Sequence, residues 1–223
     1  MKLPSLRNAP PATILTVAAV LLLGGCQAAY FGALEKMGIP KREVLADRVA
    51  KARTSQEEAK EQFASALDKF LAITKVEPGE LKERYELLNA ELKRNESRAS
   101  EVRARLTGVR DVAEALFDEW KEELKQYSNA DLRNRSAAQL DKTQRNYRDL
   151  MVVMERASAR MEPVLTAFRD QVLFLKHNLN AQAVRSLDAT SQTLQDDIGR
   201  LMTDMEKSIR EADEFIRTLK PAD

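Results

Sequence analysis

The fold is decided by residues 85–120, YELLNAELKRNESRASEVRARLTGVRDVAEALFDEW, in which apolar side chains recur at alternating steps of three and four residues. The row consists of Tyr85, Leu88, Leu92, Ala99, Val102, Leu106, Val109, Ala113, Leu116 and Trp120. Asn95 is the one polar residue within the row. About five heptads in register predict coiled-coil packing, because this spacing keeps one apolar stripe facing the partner helices. The pattern predicts a helix over residues 80–127, about 70 Å long at 1.5 Å per residue.

The same spacing predicts three more helices, over residues 41–75, 130–176 and 181–219. Their apolar rows are Leu45, Val49, Ala52, Ala59, Phe63, Ala66, Phe70 and Ile73; Leu140, Tyr147, Leu150, Met154, Ala157, Met161, Val164, Phe168 and Leu175; and Val184, Leu187, Leu194, Ile198, Leu201, Met205, Ala212, Phe215 and Leu219. Pro78 and Gly79 end the first helix, because proline cannot continue a helix and glycine frees the turn.

Four amphipathic helices joined by short turns must bury their apolar stripes together. We therefore predict an all-α fold, an elongated antiparallel up-down bundle of four long helices with coiled-coil-type packing over residues 41–223. Folding the chain about its turns puts Gln56, Asn95 and Ser191 at similar heights, which predicts a partly polar layer that fixes register. Pro163 falls at an outward position and predicts a kink, not a break. The second helix is longer than the first, so one end is expected to narrow to three helices.

The composition supports long helices and argues against a nucleic-acid partner. Charged residues make up 32% of the sequence and aromatic residues only 5%, a balance typical of helical and coiled-coil proteins. The net charge is +1 and both signs are interspersed, so the chain lacks the basic face that nucleic-acid binding requires.

The first 25 residues have the layout of an export signal. Lys2 and Arg7 form a basic start, and an apolar stretch from Ile14 to Leu23 follows. This stretch is shorter than the roughly 20 apolar residues that span a bilayer. Residues 1–25 are therefore predicted to be a signal peptide, with an uncleaved helical anchor as an alternative.

The only cysteine of the sequence stands directly after this segment. Leu23-Gly24-Gly25-Cys26 resembles the lipobox of bacterial lipoproteins, in which a leucine and two small residues precede the lipidated cysteine. The resemblance implies that the Cys26 thiol receives a diacylglyceryl group and that the protein binds the membrane through this lipid. Each buried CH₂ contributes about 0.8 kcal/mol, so several acyl chains hold a protein firmly. The alternative is an ordinary cleaved signal peptide in which Cys26 is incidental.

Residues 26–40 are predicted to be a lipidated tether, because glycines and a proline interrupt any regular pattern. Gln27, and not aspartate, follows the cysteine. By resemblance to enterobacterial sorting rules, this implies the outer membrane, with the body of the protein in the periplasm. Tyr30 and Phe31 either lie at the headgroup level of the membrane or pack on the end of the bundle.

No constellation of residues predicts catalysis. Metal sites in helical bundles usually combine carboxylates with histidine, and the only histidine, His177, suits a helix C-terminus instead. The sequence contains no Gly-rich phosphate loop and no nucleophile motif, so we expect no metal, no cofactor and no enzyme activity. Five methionines either fill the core or line a flexible groove: Met151, Met154, Met161, Met202 and Met205.

The N-terminal part of the mature chain carries a family resemblance. The segments CQAAYFGALEKMG (26–38), QEEAKEQF (56–63) and ALDKF (66–70) resemble an uncharacterised family of proteobacterial lipoproteins, known only as a domain of unknown function. The resemblance implies a helical envelope lipoprotein and supplies no activity. Its density near the anchor suggests membrane-proximal contacts by Tyr30, Phe31, Lys41, Arg42 and Arg48.

These patterns predict a lipid-anchored protein of the cell envelope with a non-catalytic structural or protein-interaction role. Its predicted partners are the membrane and an unknown envelope protein, and self-association into a homo-oligomer is left open because coiled-coil surfaces often pair. The alternative is a periplasmic ligand-binding or chaperone-like module, which would need an apolar cavity between helices near the methionines.

Overall fold

The computed structural model describes residues 37–73, 81–178 and 181–219, without the side chains of residues 73, 81 and 181–190. It contains four α-helices, which are α1 (Lys41–Ile73), α2 (Leu81–Leu124), α3 (Ala130–His177) and α4 (Ala181–Leu219). These ranges contain no strand. The predicted all-α fold is confirmed.

The helices pack side by side as a closed ring, in which α1 and α3 each contact both α2 and α4. Neighbouring helices run antiparallel. At one end, Lys41 Nζ at the start of α1 lies 2.9 Å from Glu119 Oε1 near the end of α2. Three ion pairs recur every seven residues along α2 and α3, in opposite chain directions: Glu96–Arg169, Arg103–Glu162 and Arg110–Glu155.

The core contains the predicted apolar rows. Every member whose side chain is described is buried, except Tyr85, Trp120 and Tyr147, which are half-buried. The core also takes in apolar residues that flank the rows: Val44, Val112, Phe117, Met151, Leu165, Val172 and Ile209. A helix that faces two neighbours needs a wider apolar stripe than two heptad positions supply, which explains these additional residues.

The second helix is shorter than predicted, because it ends at Leu124 and not at residue 127. The amides of Lys125 and Gln126 donate hydrogen bonds of 3.2 and 2.9 Å to carbonyls only three residues earlier, which tightens the last turn. The side chain of Tyr127 is exposed, so no packing favours an extra turn.

The third helix begins at Ala130, as predicted, and extends one residue past the predicted end, to His177. Asn129 caps it, because its Oδ1 accepts a hydrogen bond of 3.0 Å from the amide of Leu132. Pro163 lies inside the helix with an exposed side chain, as its outward heptad position predicted, and the helix continues through it.

The connection between α2 and α3 projects beyond the rest of the bundle. Phe117, Tyr147 and Phe215 form one aromatic layer, with ring centroids 5.4 and 6.4 Å apart. From this layer α3 continues for about 25 Å to its first residue, whereas α4 continues for only about 6 Å to Leu219. No residue between Trp120 and Leu140 is buried. We call residues 121–139 the hairpin tip.

The expectation that one end narrows to three helices is therefore wrong for the described residues, since the hairpin tip consists of α2 and α3 alone. The reason is that α1 begins at the level where α4 ends. Arg42 Nε donates to the carbonyl of Leu219 over 2.8 Å, which fixes the start of α1 beside the end of α4.

A buried polar contact crosses the core, but with a different member than predicted. Ser208 Oγ donates to Gln56 Oε1 over 2.6 Å, and Gln56 Nε2 donates to the carbonyl of Met154 over 3.3 Å. The prediction that Gln56, Asn95 and Ser191 share one layer is wrong, because Ser191 stands 17 positions before Ser208 on α4, about 25 Å along the helix. Asn95 is buried as predicted, and its Oδ1 has no hydrogen-bond partner in the described structure.

We expect Ser208→Ala to lower the free energy of unfolding by about 1–2 kcal/mol, because it leaves Gln56 Oε1 buried without a donor. The double variant Gln56→Met/Ser208→Ala removes both polar groups and should recover to within about 1 kcal/mol of the unaltered protein. Urea denaturation measures both. A double variant that is less stable than Ser208→Ala alone would contradict the pairing.

Two glycines provide a test of backbone conformation. A Cβ at Gly199 inside α4 would meet nothing within 4 Å, whereas Gly38 has a φ of +79°. Gly199→Ala should therefore raise the free energy of unfolding by about 0.5–1 kcal/mol through helix propensity. Gly38→Ala, the matched control, should lower it by about 1 kcal/mol, because L-residues avoid this conformation. Thermal denaturation of the two variants in parallel measures the difference, and equal effects would contradict the expectation.

Candidate functional site

The residues predicted to form the anchor lie outside the described part of the chain. They are Leu23, Gly24, Gly25, Cys26, Tyr30 and Phe31. The described chain starts at Met37 and turns at Gly38 before α1 begins. The candidate site is therefore the end of the bundle that the N-terminal segment joins.

A cleft of about 650 Å³ occupies this end, between the first residues of α1 and the last turns of α2. We call it the N-terminal cleft. Apolar side chains from Ile39, Leu116 and Trp120 line its walls, and the charged residues Glu119 and Glu123 lie beside them. Lys41 and Arg42 also line the cleft, so its walls are of mixed polarity, and these residues include no paired nucleophile and base.

The basic residues predicted to make membrane-proximal contacts lie at this end, but their described contacts join helices. Lys41 has a side chain only 11% exposed and pairs with Glu119. Arg42 donates to the carbonyls of Leu219 and Thr218 over 2.8 and 3.1 Å. These carbonyls belong to the last turn of α4, where a cation is favourable because the helix dipole is negative there.

Arg48 packs across Gly108 of α2. Its Nη1 and Cδ atoms lie 3.8 and 4.0 Å from the position a Cβ on Gly108 would take. These are ordinary van der Waals distances, so the side chain of Arg48 lies against α2 at this position and an alanine there would also fit. Contact of Lys41, Arg42 and Arg48 with a membrane stays a prediction, since the structure accounts for each within the bundle.

Trp120 joins the N-terminal cleft to the hairpin tip. Its Nε1 donates to Ser136 Oγ over 2.8 Å, across the gap between α2 and α3. The indole ring is half-buried and packs on the core, as the sequence predicted from its place in the apolar row. This contact holds the tip to the body at the level where α1 begins.

Other candidate residues are placed in ordinary structural positions. His177 is exposed at the end of α3. Met151, Met154, Met161 and Met205 are at most 6% exposed and belong to the single core cluster, against which Met202 packs. Within the described ranges, no group of three or more histidine, cysteine or acidic side chains is arranged to hold a metal ion. No helix in those ranges has both the length and the hydropathy to cross a bilayer.

The strongest electrostatic feature is Glu91, which sequence reasoning missed. Its side chain is fully buried between α1 and α2. Gln62 Nε2 donates to Glu91 Oε2 over 2.6 Å, and Lys69 and Arg94 pair with its Oε1. Burial alone would raise the pKa of Glu91, but hydrogen bonds from Arg94, Lys69 and Gln62 outweigh it and lower the pKa from 4.5 to about 2.

A signal for this cluster does exist in the sequence. Glu91 directly precedes the row member Leu92, at a heptad position that faces a neighbouring helix, and such positions are where interhelical ion pairs form. The partner on α1 depends on the register between the two helices. Sequence spacing within one helix therefore marks Glu91 as a candidate but does not identify Lys69.

We expect Glu91→Gln to lower the free energy of unfolding at pH 7 by about 2–3 kcal/mol, because Lys69 and Arg94 lose a buried carboxylate. Since the folded pKa is depressed, the stabilisation is complete above about pH 5 and is lost as the pH falls towards 2. Denaturation from pH 7 to pH 2 should show the two proteins converging.

Glu96→Gln is the matched control, on the same helix. Glu96 pairs with Arg169 at 2.7 Å, but its side chain is 38% exposed. Its loss should cost less than about 1 kcal/mol. Equal losses in the free energy of unfolding at the two positions would show that the burial of Glu91 adds nothing to the strength of its ion pairs.

Comparison with known proteins gives one family. The family described as "Protein of unknown function (DUF2959)" matches residues 30–219. No curated protein and no solved structure matches the chain. The match covers all four helices and most of the sequence. The chain therefore belongs to the DUF2959 family of proteins of unknown function.

Proposed function

We propose that the protein is a lipid-anchored, non-catalytic element of the bacterial cell envelope, which presents a helical rod to a protein partner. The observation that carries the proposal is Leu23-Gly24-Gly25-Cys26, directly after a basic start and a short apolar stretch. The sequence has one cysteine, and it stands where lipidation requires it. The family match begins at residue 30 and does not include Cys26, so the proposal of an anchor rests on the sequence of residues 1–26.

The geometry of the bundle supports a spacer or presenting role. The 48 residues of α3 give a rod about 70 Å long. The N-terminal segment joins the bundle beside Lys41 and Glu119, in the part of the rod nearest the hairpin tip. A lipid on Cys26 would therefore hold this end near the bilayer and leave the opposite end free to reach into the periplasm.

The filled core favours an interaction role over a ligand-binding role. The buried methionines of α3 and α4 belong to the same apolar cluster as the leucines and phenylalanines around them. The outer faces carry exposed ion pairs such as Arg110–Glu155, at 2.8 Å. Exposed pairs of this kind contribute little stability, which leaves these charges available to a partner. We place the protein in the outer membrane because Gln27 follows the cysteine.

The test is lipidation in bacterial cells. The unaltered protein should incorporate labelled palmitate, sediment with membranes and lose residues 1–25, and Cys26→Ser should abolish the labelling. Gly25→Leu should block processing, because the position before the cysteine takes a small side chain. Gly24→Ala is the matched control, which keeps a small side chain and should be processed normally.

The localisation has its own measurement. Density-gradient separation should place the unaltered protein in the outer membrane, and Gln27→Asp should move it to the inner membrane. Recovery of a soluble protein with an unmodified thiol on Cys26 would overturn the anchoring proposal. Retention of Gln27→Asp in the outer membrane would overturn only the sorting rule.

A further inference from the structure

We infer that the hairpin tip is a membrane-contact surface that seats in the headgroup region of the bilayer through Tyr127 and Leu132. The inference rests on the proposed lipid anchor at Cys26. Tyr127 is 39% exposed and Leu132 is 51% exposed, on a part of the molecule in which no described residue is fully buried. Met37, where the described chain starts, is 73% exposed at the same end.

The anchor and the hairpin tip lie at the same end of the rod. Ten residues separate Cys26 from Met37, and a chain of this length spans at most about 35 Å. The tip also projects past the first residue of α1, which lies beside Glu119. A lipid on Cys26 therefore brings the tip, before any other part of the bundle, to the bilayer surface.

Two hydrogen bonds hold the tip in its folded arrangement. Trp120 Nε1 ties it to Ser136, and Asn129 caps the first turn of α3. Tyr127 lies two residues before this cap and Leu132 three residues after it, and both side chains are exposed. A tyrosine with an accessible ring and hydroxyl suits the headgroup region, where one end of the side chain is apolar and the other is wet.

The chemistry favours a lipid surface over a protein partner. Two apolar side chains among charges are too few for a stable protein interface, which buries on the order of 1,000 Å² or more. They suffice for a tethered contact, because the anchor makes the second contact intramolecular. The tip has four basic and three acidic residues in near balance: Lys121, Lys125, Arg133 and Arg135 against Glu122, Glu123 and Asp131. The contact should therefore depend little on ionic strength.

The test uses the full, processed protein in vesicles of phosphatidylethanolamine and phosphatidylglycerol that contain brominated lipid, which quenches nearby tryptophan. Trp120 is the only tryptophan and is kept in every variant, because its Nε1 ties the tip to Ser136, and its quenching in the unaltered protein is subtracted as the background. Tyr127→Trp and Leu132→Trp report on the tip. Val152→Trp is the matched control, because Val152 is 62% exposed on α3 but lies in the middle of the rod. Circular dichroism of all variants verifies folding.

We expect quenching at positions 127 and 132 to exceed that at position 152 by about threefold or more, with little change in high salt. Equal quenching at the three positions, with the protein still floating with vesicles, would overturn the contact and leave the anchor intact. Blue-shifted but unquenched emission at the tip, with a doubled mass, would show a second copy there and also overturn it. Loss of flotation would overturn the anchor and the contact together.

Discussion

Burial of four apolar stripes in one shared core is the constraint on which the rest of the structure depends. Helices of 33 to 48 residues with this many charges are marginal in isolation, because propagation along the helix gains little without tertiary packing. Each helix therefore needs two neighbours, and the ring of α1, α2, α3 and α4 supplies them. The flanking residues Val112, Phe117 and Leu165 widen the stripes as this arrangement demands.

Apolar packing alone does not fix how far one helix slides along another, since a heptad shift brings a similar row into contact. Polar contacts supply that information here. Gln56 bridges α1 to Ser208 of α4 and to the backbone of α3. Glu91 ties α2 to Lys69 of α1. A shift of one heptad would leave Glu91 buried without Lys69. The free-energy cost of that unpaired charge exceeds the difference in apolar packing between the two registers.

The sequence-based predictions agree with the structure for features set within one helix. They differ for features set by the register between helices. The rows around Leu88 and Met161 are predictable because helical periodicity places their members on one face whatever the partner. The choice of Ser208 over Ser191 depends on the relative heights of α1 and α4, which Arg42 fixes across 177 positions of sequence. The spacing of residues within one helix does not determine the relative height of two helices. The lipid anchor stays a prediction from the sequence, because the described residues do not bear on it.

The hairpin tip determines where local unfolding of the bundle begins. Only α2 and α3 pack together at the hairpin tip, where Trp120 also contacts Ser136. Around Gln56, all four helices enclose the backbone amide groups. Regions with few buried apolar contacts exchange their amide hydrogens through small local openings, at a free energy well below that of global unfolding. Deuterium should therefore enter the peptide groups around Leu132 long before those around Met154, and a protease would cut first at the turn. Fraying therefore begins at the hairpin tip and proceeds towards the part of the rod where all four helices pack together.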